Sequence, residues 1–215
     1  MGMFKKMALL ILPAIIFLPG FQSEKETPFT VKEYQNLANY FDSKKDLLDF
    51  FEFHKGDVVA DVGAYTAKYE GAFSILTDSI TFYSQDINKK KLNQKAINKM
   101  VKHYTKVKGS PLTNTFKFVI GTEKQTNLPD GIFDKIIISS TFHEFKYYNE
   151  MVADFKKKLK PNGKVYILET HCYTKGHYNF TCEEVTEIMQ NNGFRPIKRV
   201  NPKAKETWCV IYEKV

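Results

Sequence analysis

A run of small and β-branched apolar residues, Val58 to Val62, passes directly into Gly63-Ala64-Tyr65-Thr66 and then into an amphipathic pattern that continues to Leu76. A strand apolar at nearly every position has to be covered on both faces, which is the condition of a parallel sheet with helices on either side. The stretch DVVADVGAYTAKYEGAFSIL therefore predicts a strand–turn–helix unit. In open sheets built from such units, ligands bind outside the carboxyl ends of the strands, and the first turn meets the ligand. This turn holds neither GxxxxGK[ST] nor GxGxxG, so it is not a cradle for a triphosphate or a dinucleotide. Asp61 instead sits two residues before Gly63, where an acid suits an ammonium group and not a pyrophosphate.

The remainder of the chain repeats the same alternation. Ile80 to Gln85 reads as a second strand ending at Asp86-Ile87-Asn88, followed by a helix opened by Lys89-Lys90-Lys91, with Leu92, Ala96, Met100 and Tyr104 on one face. After a loop from Lys106 to Pro111 comes a third strand, Thr115 to Ile120, and the segment GTEKQTNLPDGIFD. A fourth strand, Lys135 to Ser139, delivers Ser140-Thr141-Phe142-His143-Glu144-Phe145 at its carboxyl end. A helix from Tyr147 to Lys160 stops at Pro161-Asn162-Gly163, and a fifth strand runs from Lys164 to Glu169. Thr181 with Glu184 forms a capping box for a helix closed by Asn192-Gly193; Phe194 to Val200 and Thr207 to Tyr212 complete the strands, joined by NPKAKE. Upstream, Tyr34, Leu37, Ala38 and Phe41 fall at helical spacing, and Ser43 with Asp46 predicts a capped helix bearing Leu47, Phe50 and Phe51. Both helices are expected to cover one edge of the sheet.

Several of these segments together resemble the class I S-adenosylmethionine (SAM) methyltransferases. Asp61 and Gly63 match the start of the DxGxGxG motif, whose second and third glycines fall here on Tyr65 and Ala67. Gly121, Leu128, Pro129, Asp130, Gly131, Phe133 and Asp134 keep the frame of the loop after the third strand, and LKPNGKVYILE is close to the Leu-Lys-Pro-Gly-Gly segment. The Gly-Thr-Glu loop paired with a later His-Glu also resembles a branch of predicted methyltransferases carrying N-terminal export signals. The resemblance spans Asp57 to Val215. It implies a doubly wound, Rossmann-like α/β fold: a seven-stranded sheet, mostly parallel, with a C-terminal antiparallel strand. It also implies SAM as cofactor and a small-molecule methyl acceptor as partner. By position, Asp61, Gly63, Ala64 and Tyr65 would cup the methionine end, Asp86 and Ile87 would meet the ribose, and Thr122 and Glu123 would flank the adenine. Asp86 can accept both ribose hydroxyls, or cap the next helix, or do both.

Transfer from a sulfonium needs alignment of donor and acceptor, and sometimes removal of a proton. His143 and Glu144 stand where the acceptor would sit and are the candidate catalytic pair; the alternative is that they satisfy backbone groups beneath an aromatic cap of Phe142 and Phe145. A metal site from His143, Glu144, Glu169, His171 and His177 has no diagnostic spacing, and no metal is expected. No catalytic Tyr-Lys pair supports a dehydrogenase.

Length sets one folded domain: with 215 residues, 43% of them hydrophobic, the chain builds one sizeable core and not two. Lys and Arg outnumber acids 32 to 24, but the lysines scatter over helical faces without any nucleic-acid recognition module, and no nucleic-acid partner is expected. Residues 1–23 combine a basic start, MGMFKK, with the apolar stretch MALLILPAIIFLPGF. This reads as a signal peptide, or as an uncleaved N-terminal anchor that would tie the protein to a membrane. Residues 24–56 then form a linker and N-terminal helices, and residues 57–215 the methyltransferase-like domain. The three cysteines, Cys172, Cys182 and Cys209, lack CxxC spacing; Cys172 and Cys182 could pair across their loop, or all three could be buried thiols.

Overall fold

The alternation of apolar strands with amphipathic helices closes into one mixed sheet covered on both faces. The computed structural model describes residues 32–33, 41, 44–170, 180–200 and 207–215. In chain order the elements are α1 (Lys44–Phe51), β1 (Val58–Val62), α2 (Lys68–Leu76), β2 (Thr81–Asp86), α3 (Gln94–Lys108), β3 (Thr115–Ile120) and β4 (Phe133–Ser139). A 3-10 turn (Phe142–Glu144) follows, then α4 (Tyr148–Lys158), β5 (Leu159–Thr170), α5 (Cys182–Asn191), β6 (Phe194–Val200) and β7 (Thr207–Lys214).

The strand order is β3-β2-β1-β4-β5-β7-β6. Neighbouring strands from β3 through β5 pair in parallel, and β7 runs antiparallel to both β5 and β6. The chain winds outward from β1 to β3 and then returns to lay β4 on the other side of β1. The crevice at the carboxyl ends of β1 and β4 is thus the topological switch point, where such sheets bind ligands.

Strand alternation sorts the core into two layers. Val59, Phe82, Ile137, Tyr166 and Leu168 face α1, α2 and α3. Ala60, Val62, Ile136, Ile138, Val165 and Ile167 face α4 and α5. Helix α2 lies so close to α3 that a β-carbon on Gly71 would collide with the Tyr104 ring.

Four local expectations change. Helix α1 covers a face of the sheet and not an edge: Phe50 meets Tyr166 edge-on at 5.8 Å, and Phe51 meets Phe73 of α2 at 4.9 Å. Lys89-Lys90-Lys91 lies in the turn before α3 instead of opening it, because Asn93 supplies the cap, its Oδ1 accepting the Ala96 N–H at 3.1 Å. That shift puts Ile97, not Ala96, on the buried face with Met100 and Tyr104. Strand β5 begins at Leu159, which pairs with Phe133; the register then slips before Lys135 meets Lys164, so Pro161 and Gly163 sit in a bulge inside the strand.

The Thr181–Glu184 capping box forms as expected, with Thr181 Oγ1 accepting the Glu184 N–H and Glu184 Oε2 accepting the Thr181 N–H. Cys182 and Cys209 are buried free thiols, each held above the ordinary thiol range by burial. Cys172, His171, His177, the NPKAKE connection, the Ser43 cap, the helix through Tyr34 and the segment 1–23 lie outside the described residues. Among the described residues no helix is long and apolar enough to cross a membrane.

Candidate functional site

A cavity of about 440 Å³ opens at the switch point, within the range of small-ligand sites. Its walls come from the ends of four strands: Val62, Gly63 and Tyr65 at the end of β1, Asp86 and Ile87 at the end of β2, Thr122 and Glu123 after β3, and Ser140, Thr141 and Glu144 to Lys146 after β4. The β1 turn is pinned by Gln85, whose carbonyl accepts the N–H groups of both Gly63 (2.9 Å) and Ala64 (3.0 Å). Gly63 has φ +87°, and a β-carbon there would run into the Thr141 side chain, so only bare backbone fits between the two loops. Tyr65 and Ala67, which stand at the other two glycine positions of the motif, take φ of 51° and 58°. They hold the left-handed geometry glycine would have given, and the loop keeps its course at the cost of strain.

Asp86 faces this turn. Its Oδ2 accepts the Tyr65 N–H at 2.8 Å and its Oδ1 accepts the Asn88 N–H at 2.7 Å. Each carboxylate oxygen has a second acceptor direction, so two hydroxyls of a diol can still be received. The Tyr65 ring is 52% exposed and lies on the wall of the cavity without plugging it, and Lys91 Nζ stands 5.3 Å from its centroid. Ile87, 55% exposed, offers an apolar surface at the lip.

Asp61 does not line the cavity. Strand alternation turns it to the α2 side with Val59, where it is buried against Glu70. Asp61 Oδ2, both Glu70 carboxyl oxygens and the Ser84 hydroxyl are sealed there without a hydrogen bond of good geometry. Burial, then the Glu70 charge, then that of Asp86 hold the Asp61 carboxyl well above its ordinary range. Burial likewise pushes Glu70 up to about 7. Two carboxyls so placed cannot both ionise cheaply, and a proton retained between them supplies the missing bond.

At the β4 end, Glu169 of β5 organises the 3-10 turn. Its Oε1 accepts the N–H groups of Thr141 (2.8 Å) and Phe142 (2.6 Å), and its Oε2 lies 2.8 Å from His143 Nδ1. His143 Nε2 is 3.5 Å from Glu144 Oε1. Glu144 lines the cavity and His143 does not, so the His-Glu pair is arranged in depth, with Glu144 at the wall and His143 behind it. Phe142, Phe145 and Phe180 do form an aromatic cap, with Phe142 5.4 Å from each of the others, but the carboxylate serving the backbone beneath it is Glu169.

Thr122 and Glu123 both reach the cavity. The Thr122 hydroxyl accepts the N–H groups of Lys124 and Gln125, each at 3.2 Å, which makes a tight turn, and Glu123 approaches Lys146 at 3.9 Å across the mouth. Thr126 anchors the loop, its N–H and hydroxyl donating to the buried Asp154 of α4 at 2.8 and 2.6 Å. The LPDGIFD frame is structural: Leu128 and Phe133 are buried, Asp130 pairs with Lys158 at 2.7 Å, and Asp134 accepts the Val58 N–H at 2.8 Å. Of the ten residues singled out from the sequence, seven line one cavity; Ala64 supports its floor, and Asp61 and His143 stand behind it. Sequence reasoning missed Glu70 and Gln85 altogether. It had placed Glu169 only among candidate metal ligands, and among the described residues no group of three His, Cys, Asp or Glu could hold a metal ion.

Known proteins can be set beside this geometry. Residues 61–167 match a family model described as a methyltransferase domain. No curated protein sequence matches the chain. A SAM-dependent methyltransferase from Aquifex aeolicus superposes with a TM-score of 0.64 at 22% identity, over 83% of this chain and 92% of its own. A SAM-dependent methyltransferase from Methanosarcina mazei gives 0.62 at 13% identity, over 81% and 99%. The [4+2]-cyclase SpnF gives 0.58 at 12% identity, over 78% of each chain. At these identities the solved structures establish the fold: a seven-stranded, Rossmann-like α/β sheet with its antiparallel strand near the C-terminus. The matched domain is described as a methyltransferase domain, and the Aquifex and Methanosarcina structures are of SAM-dependent methyltransferases.

Proposed function

We propose, from the premise that residues 61–167 are a class I SAM-dependent methyltransferase domain, that this chain methylates a small-molecule acceptor seated beside Glu144. The observation that carries the reading is the shared cavity: Gly63 backbone, the Asp86 carboxylate and the Glu144 carboxylate open into one space. The residues present fit the cofactor. Bare backbone at Gly63 permits close approach, Asp86 retains acceptor capacity for a ribose diol, and Ile87 with Thr122 and Glu123 borders a flat apolar base. When bound, SAM supplies an electrophilic methyl group whose bonding pair stays on sulfur as the acceptor's lone pair forms the new bond.

The chain's own contribution is alignment, exclusion of water and a carboxylate at the acceptor side. Glu144 receives the acceptor's proton, and His143 behind it stabilises the pair. The test is calorimetric titration of the full chain with SAM, followed by turnover on candidate acceptors. Absence of binding at millimolar SAM rejects the reading, whereas Glu144→Gln is expected to keep binding and lose turnover by about 100-fold or more.

A second reading is a binding module that shares the fold without turnover. It is favoured by Tyr65 and Ala67 at two glycine positions, and SAM binding that emerges only in the Tyr65→Gly/Ala67→Gly variant would select it. Export through residues 1–23 belongs to both readings and is tested by cell fractionation.

A further inference from the structure

The Glu169 carboxylate makes three contacts at once: two backbone N–H groups and one imidazole nitrogen, all at 2.6–2.8 Å. It is 3% exposed and sits near the end of β5, where the sheet holds it rigidly opposite Trp208. An ionised carboxylate only accepts hydrogen bonds, so the imidazole nitrogen facing it has to be the protonated one. We propose that Glu169 is a positioning residue: it locks the His143 proton onto Nδ1 and turns the basic Nε2 toward Glu144, which makes the site one for acceptors that must lose a proton. The acceptor class is therefore a hydroxyl, a thiol or a protonated amine. A carbon or sulfide nucleophile that attacks without deprotonation would have no use for the arrangement. This inference rests on the methyltransferase reading given above.

Proton accounting is simple. The acceptor's X–H bond breaks, the electron pair stays on X for the new bond, and the proton passes to the Glu144 carboxylate. There it faces His143 Nε2 across 3.5 Å, a gap that a small rotation of the Glu144 side chain closes. In the neutral ring Nε2 is the acceptor because Nδ1 carries the hydrogen donated to Glu169. The same carboxylate fixes Thr141, whose side chain abuts Gly63, so one residue sets both the base and the wall that the cofactor loop leans on.

Glu169→Gln separates these roles. The amide oxygen can still accept the two backbone N–H groups, and the opposite orientation would point its NH2 at two other donors. With the oxygen thus engaged, the NH2 group donates to His143 Nδ1 and forces the ring proton onto Nε2. Long-range proton–nitrogen correlation NMR of the full chain reads the tautomer directly, at about pH 9 where an ordinary imidazole is neutral. The His143 signals are assigned by comparison with His143→Gln.

The expected result is Nδ1–H in the wild type and Nε2–H in Glu169→Gln, with SAM affinity unchanged and turnover reduced about 10- to 100-fold. Wild-type protein protonated at Nε2, or the same tautomer in both proteins, overturns the proposal. Should Glu169→Gln not fold, the wild-type tautomer alone decides, with Glu144→Gln as a control that should leave Nδ1–H in place. Failure of SAM binding in the wild type would sink the methyltransferase reading while leaving the tautomer result intact, so the two failures are distinguishable.

Discussion

Asp86 Oδ2 accepts the amide N–H of Tyr65 at 2.8 Å, which adds a charge-assisted bond to the two that the Gln85 carbonyl makes between the end of β2 and the turn after β1. The carboxylate therefore has two tasks: it shapes the motif loop and it presents acceptor lone pairs to a ribose. Asp86→Ala removes both. Hydrogen bonds to a charged group contribute about 1.5–3 kcal/mol, so SAM affinity should fall about 10- to 100-fold, as measured by calorimetry. Asp86→Asn keeps one acceptor oxygen and should lie between the two. Equal affinity in all three proteins would remove Asp86 from the cofactor site.

Tyr65 and Ala67 share left-handed backbone but differ in surroundings, and glycine should affect them differently. The left-handed region costs an L-residue about 1–2 kcal/mol, and glycine returns about 0.5–1 kcal/mol of that through the freedom of the unfolded chain. Tyr65 is half exposed, so Tyr65→Gly should stabilise the protein by about 0.5–1 kcal/mol, a rise of a few degrees in Tm. Ala67 is fully buried, and the loss of its methyl group, about 0.8 kcal/mol, should leave Ala67→Gly close to neutral. Thermal melts of the two single variants test this difference, which depends on burial and not on motif matching.

What was legible in the sequence was whatever depends on local pattern. The β1–turn–α2 unit, the Asp86 strand end and the Thr181–Glu184 cap each lie within one continuous stretch, and periodicity or cap chemistry marks them. Glu70 was hidden because an acid in the first turn of a helix reads as favourable helix chemistry, and only packing against Asp61 makes it a buried pair. Glu169 and His143 are 26 positions apart, and Lys135 and Asp57 are 78 apart; no local spacing announces such pairs. The start of α3 was misplaced by a few residues because three lysines favour helix, while Asn93 competes more strongly as a cap.

The Asp61–Glu70 pair makes stability depend on pH with a definite sign. Glu70 titrates near its ordinary value of 4.5 in the unfolded chain and at about 7 in the fold. The native state thus binds more protons than the unfolded state between those values, and stability falls as pH rises through them. One pK unit is 1.36 kcal/mol, so this carboxyl alone accounts for about 3 kcal/mol between pH 4.5 and 7. Glu70→Gln holds the same shape without the charge. Its Tm should therefore change less across this window and exceed that of the wild type above pH 7. A wild-type profile that is flat, or that rises from acid to neutral pH more in wild type than in Glu70→Gln, would contradict the pairing.

Burial, not distance, should decide what the ion pairs contribute. Lys135 Nζ and Asp57 Oδ2 are 2.6 Å apart with side chains 7% and 11% exposed, while Arg195 of the edge strand β6 and Glu213 of β7 are as close, at 2.5 Å, with 66% and 31% exposed. In Lys135→Met the Asp57 carboxylate keeps the His54 N–H but loses its nearest counter-charge while remaining largely buried. Stranding a buried charge costs about 3–5 kcal/mol, whereas removing one side of an exposed pair costs about 0.2–1 kcal/mol. Denaturant melts should therefore show Lys135→Met several kcal/mol less stable and Arg195→Ala nearly unchanged. The double variant Asp57→Leu/Lys135→Met should recover much of the loss, since two apolar side chains leave nothing charged to desolvate. The coupling in that cycle isolates the pair from the packing of the individual side chains. If Lys135→Met and Arg195→Ala cost the same, then water reaches the start of β1 and screens the Asp57 charge.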